Sequence, residues 1–114
     1  MDKQKKENLD ALIDEGFKAV DALNARVKQF EDAEQQSNNK NWVRKAKFDA
    51  YNDMIPFITE TKTKAMSLIA LSQERGLTCC ESRANGLLNS LNHIERSIRR
   101  HIENGFKWFR KYFN

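Results

Sequence analysis

The sequence predicts an all-α fold, an elongated antiparallel bundle of three helices running up, down and up. Apolar residues recur at three- and four-residue steps along nearly the whole chain, which is the period of one helix face. Only two short stretches, near residues 37–40 and 76–78, interrupt that rhythm. One proline and four glycines leave little material for the turns of a many-stranded sheet. At 114 residues the chain fits one domain, and 39% hydrophobic against 32% charged residues implies a thin core.

The first helix is expected over residues 3–36. Leu9, Ile13, Gly16, Val20, Leu23, Val27 and Phe30 step by 4, 3, 4, 3, 4 and 3, a coiled-coil seam interrupted only by Gly16. Leu12 and Phe17 widen it, as a helix touching two neighbours requires. Ser37-Asn38-Asn39-Lys40 has no apolar residue and is rich in cap formers, so it reads as a turn.

The second helix is expected over 41–75, with a stripe of Val43, Ala46, Ala50, Met54, Phe57 or Ile58, Thr61, Ala65, Leu68 and Ile69. Pro56 lies in its middle, removing one backbone donor and disfavouring α geometry at Ile55. The helix is therefore expected to be kinked or broken near Pro56. The continuing stripe favours a kink; in a break, Asp53 would cap a new helix.

The third helix is expected over 79–113. Gly76 is a natural left-handed cap for the second helix, followed by the apolar Leu77. Thr78-Cys79-Cys80-Glu81 has the pattern of a capping box. Leu87, Leu91, Ile94, Ile98, Ile102, Phe106, Phe109 and Phe113 then trace one face. Turns of three or four residues between such helices imply antiparallel neighbours. Two chains sharing a core, a homodimer, is the alternative assembly.

Charge is unevenly distributed. Residues 1–39 carry 6 basic and 9 acidic side chains, whereas 82–114 carry 7 and 2. Most of those cations lie opposite the apolar stripe of the third helix: Arg96, Arg99, Arg100, Lys107, Arg110 and Lys111. The ridge from Arg96 to Lys111 is about 22 Å long at 1.5 Å per residue. The topology brings its end to the same pole as Trp42, Trp108 and Tyr112. Cations at each turn can follow a phosphate backbone or an acidic protein, and aromatics can stack on bases or anchor a partner. At that pole Glu31, Asp32 and Glu34 are expected to pair with Lys40, Arg44, Lys45 and Lys47 across the first turn.

Other chemistry is thinly represented. Cys79 and Cys80 fall in the first turn of a helix, where a thiol's pKa is lowered. They do not form a disulfide framework, which fits a reducing, cytoplasmic setting. His93 and His101 are eight residues apart and cannot chelate one ion together, so no metal or other cofactor is expected. No segment is apolar enough to span a membrane, and no signal-peptide core follows Met1-Asp2-Lys3-Gln4-Lys5-Lys6. The alternation of cations and phenylalanines over 106–113 suits a membrane surface, but those phenylalanines are in phase with the core stripe.

Arg96-Ser97-Ile98-Arg99-Arg100-His101 resembles the signature of the HEPN family, helical-bundle proteins many of which are metal-independent ribonucleases. The resemblance spans six residues and implies catalytic roles for Arg96 and His101 in a dimer cleft. Ser97 stands where that family usually has a residue such as asparagine, and the two side chains point about 140° apart on a helix. The leading expectation is instead a small non-enzymatic interaction module, of the accessory, inhibitor or immunity type. It would dock through its basic, aromatic C-terminal helix on nucleic acid or on a protein that handles nucleic acid. A structural protein self-associating along the first helix's seam is the remaining alternative.

Overall fold

In a computed structural model of the chain, the described residues are 2–38 and 40–113, less the side chains of Asp2, Phe106, Trp108, Phe109, Tyr112 and Phe113. Three helices account for almost all of them: α1 (Asp2–Gln36), α2 (Lys40–Glu74) and α3 (Thr78–Phe113). Each expected boundary lies within a residue of the observed one. The bundle measures 59 × 24 × 16 Å. Cross-helix pairs fix its direction. Asp10 meets Arg83, Glu34 meets Lys47, and Tyr51 meets His101, so α1 and α3 run parallel with α2 antiparallel to both.

The core follows the periodic stripes. Val20 and Leu23 of α1 pack with Tyr51, Met54, Ile58 and Ala65 of α2 and with Leu87, Leu91, Ile94 and Ile98 of α3. A second cluster, towards the α2–α3 turn, joins Leu9 and Ile13 to Leu68, Cys80 and Ala84. Phe17 packs against both. Of the two candidates in α2, Ile58 is buried and Phe57 is exposed. A Cβ at Gly16 would collide with the Leu87 side chain, so the gap in the α1 seam is the space Leu87 occupies.

α2 runs unbroken through Pro56, which excludes the alternative of a break with a new helix capped by Asp53. A mid-helix proline removes the donor to the carbonyl four residues back, here Asn52. The break is avoided because the flanking stripe is anchored: Met54 and Ile58 are both buried, while Pro56 itself is exposed.

The α2–α3 turn is a Schellman motif. Gly76 has φ +68°, Leu77 N donates to Ser72 O at 2.9 Å, and Gly76 N donates to Gln73 O at 3.1 Å. The expected capping box does not form. Leu77, not Thr78, is the residue whose carbonyl accepts the first helical bond, from Glu81 N at 3.0 Å. The Glu81 carboxylate accepts instead from Gln73 Nε2 at 3.0 Å, which ties the end of α2 to the start of α3.

Candidate functional site

α3 carries its cations on a helix that packs against α2, and the packing sorts them. Arg99, Lys107 and Arg110 line a groove of about 510 Å³ with Asn52, Ile55 and Pro56 of α2 and Ile102 and Glu103 of α3. Three cations against one acid give this groove a positive character. Glu95, just beyond it, accepts from Lys62 Nζ at 3.2 Å across the α2–α3 interface and sits 3.8 Å from Arg99 Nε. That pairing steadies the arginine without neutralising the groove. Pro56 and Asn52 both line the groove's α2 wall, one helical turn apart, and Pro56 has no backbone N–H to give to the Asn52 carbonyl.

The remaining ridge residues are placed differently. Arg96 and Arg100 are exposed, lie outside the groove and make no ion pair among the described residues. Lys111 is also exposed and outside it. Trp42, at the start of α2, is 69% exposed. The side chains of Trp108 and Tyr112, expected to stack or anchor, lie outside the described residues.

On the other flank of the α2–α3 pair is a cavity of about 170 Å³, lined among others by Glu34, Lys47, Tyr51, His101 and Asn104. Tyr51 is the largest fully buried side chain, 1% exposed, yet its hydroxyl has no hydrogen-bond partner. Its ring meets Phe30 edge-on at 6.2 Å and His101 at 5.7 Å, with Lys47 Nζ 5.6 Å from its centroid. Burial, with the nearby Glu31 and Glu34, pushes the phenol up to about 12. Burial and the Lys47 charge push His101 below its ordinary value, so it is neutral at pH 7. Burial alone would raise the Glu34 pKa. Hydrogen bonds from Lys47 at 3.0 Å and Arg44 at 3.1 Å outweigh that and hold the carboxyl below its usual value. The expected pairing across the first turn is thus concentrated in Glu34.

Sequence reasoning missed Tyr51, although it falls in phase with Met54 and Ile58. It placed Lys47 among the bases that pair across the first turn, but missed its position over the ring of Tyr51, one turn further on. That i, i+4 spacing was the available signal. Of Arg96 and His101, only His101 lines the Tyr51 cavity.

At the opposite end, Cys79 is exposed and Cys80 is buried, both as free thiols. The expectation of a lowered pKa is overturned for Cys80. Burial, together with its 3.4 Å hydrogen bond to Asp10 Oδ1, pushes the thiol up. No cluster of potential metal ligands occurs among the described residues. None of their helices is long and apolar enough to cross a membrane. The chain matches no protein-family model, and comparisons with curated proteins and with solved structures found no match.

Proposed function

We propose that this chain is a small non-enzymatic interaction module that docks through the basic face of α3 onto nucleic acid or a nucleic-acid-handling protein. The observation that carries this reading is the convergence of Arg99, Lys107 and Arg110 on one groove between α2 and α3. Cations fixed along a groove release counterions when they meet phosphates, and the neighbouring exposed Arg96, Arg100 and Lys111 extend the same field. A reducing, cytoplasmic setting goes with this reading, because both thiols are free.

The test is binding of fluorescent single-stranded RNA and duplex DNA across a salt series. Contact along the ridge gives a slope of about −4 to −6 in log K against log salt. Reversing Arg99 and Lys107 to Glu flattens that slope by about 2 while leaving helicity unchanged. Binding to neither probe moves the reading to the protein partner. Unaltered affinity of the double variant for every partner removes the groove from it.

A further inference from the structure

We propose that the groove between α1 and α2 is a homodimer interface, in which α1 of each copy lies over α2 of the other. This surface is separate from the basic groove, and the inference does not rest on the function proposed above.

The groove is about 530 Å³ and mainly apolar. Its floor is Leu87 beneath Gly16, with Ala19 and Ala65 on its sides. Leu12 and Phe57 line it yet remain 47% and 46% exposed. Half-exposed large side chains beside a trough of small ones are knobs and holes without their complement. The coiled-coil seam of α1 cannot supply that complement. Leu9, Ile13, Val20 and Leu23 are already buried inside the bundle, so self-association along the seam would require unfolding it.

Charge singles out a second copy as the occupant. Glu15 lines the groove from α1 and Lys64 from α2. The register set by Glu34–Lys47 and Phe30–Tyr51 puts these two residues level with one another. Within one chain they are not paired, and Lys64 sits 3.6 Å from Glu60 instead. A surface with opposite charges on its two rims at one level is complementary to itself under a two-fold axis along the groove. Glu15 then meets the partner's Lys64, Leu12 comes level with the partner's Leu68, and Phe57 is covered by the partner's α1.

Sedimentation equilibrium over a wide protein concentration range tests the proposal. The expected result is a reversible dimer whose dissociation constant rises about tenfold or more in Phe57→Glu. It also rises in Glu15→Lys and in Lys64→Glu singly, and recovers in the double charge swap. These positions are partly or fully exposed, and circular dichroism of each variant verifies that the helices persist. Ala19→Trp, which obstructs the trough without adding charge, also gives a monomer. A chain that is monomeric throughout overturns the proposal. So does a dimer indifferent to Phe57→Glu, or a monomer that takes up an apolar dye or an unrelated amphipathic peptide in this groove.

Discussion

The two ends of the bundle are finished in opposite ways. At the α2–α3 turn a set of backbone and side-chain bonds ties the helices together. The Schellman bonds close α2, Gln73 reaches Glu81, and Arg83 bridges Asp10 at 2.8 Å and Asp14. Even the Cys80 thiol donates to Asp10. At the other end one carboxylate, Glu34, holds both Arg44 and Lys47, a buried tyrosine hydroxyl goes unbonded, and a cavity and a cationic groove flank the same helix pair. Satisfied groups stabilise a fold and leave nothing to offer a partner. An unsatisfied buried group costs stability, and exposed charges remain available. The contrast separates an end closed by cross-helix bonds from an end that keeps charge, a cavity and a groove at its surface.

The largest effect expected from breaking the closed end is Ile13→Ala. This side chain is fully buried against Leu68, Cys80 and Ala84, so truncation costs about 2–5 kcal/mol in urea unfolding. At the open end, alkaline pH is the lever. The folded phenol of Tyr51 ionises near 12 and an unfolded one near 10, so the unfolded chain releases its proton first. Stability is intact below pH 10 and falls by about 2–3 kcal/mol as pH rises towards 12. In Tyr51→Phe that part of the alkaline loss disappears. The same variant removes a buried unbonded hydroxyl and gains about 1 kcal/mol at pH 7, the opposite sign to Ile13→Ala. Gly76→Ala meets no steric obstacle but must adopt φ +68°, and loses about 1 kcal/mol. The smallest effect comes from His101. Its folded pKa lies below the ordinary value, so protonation favours the unfolded chain and stability declines as pH falls just below 6.5. An NMR titration of the imidazole locates that window.

The helices and their ends were legible because Leu9 to Phe30, Ala50 to Leu68 and Leu87 to Ile102 keep one period. Asn38 and Gly76 also fall where that period stops. At Pro56 the continuing stripe was the better guide than the local penalty, because buried Met54 and Ile58 anchor the helix on either side and no break occurs. The capping box failed because closing α2 through Gly76 had already placed Leu77 as the cap. The basic ridge was visible as a ridge. That Arg99 lines the groove while its neighbour Arg100 does not follows only from where α2 lies, which no pattern along α3 contains. Tyr51 escaped notice because a hydroxyl-bearing ring scores poorly as core, and its burial depends on Phe30 and His101, each from a different helix.

Cys79 and Cys80 are adjacent in the chain but unequal in access, one facing solvent and the other sealed beside Asp10. A thiol reagent therefore meets two different clocks on one helical turn. Cys79 is open to the reagent in the folded chain. Cys80 is shielded, and its raised pKa withholds the thiolate, so it waits for the first turn of α3 to lift away from α1. The lag between the first and second equivalents consumed times the opening of the closed end, with no label added to the chain.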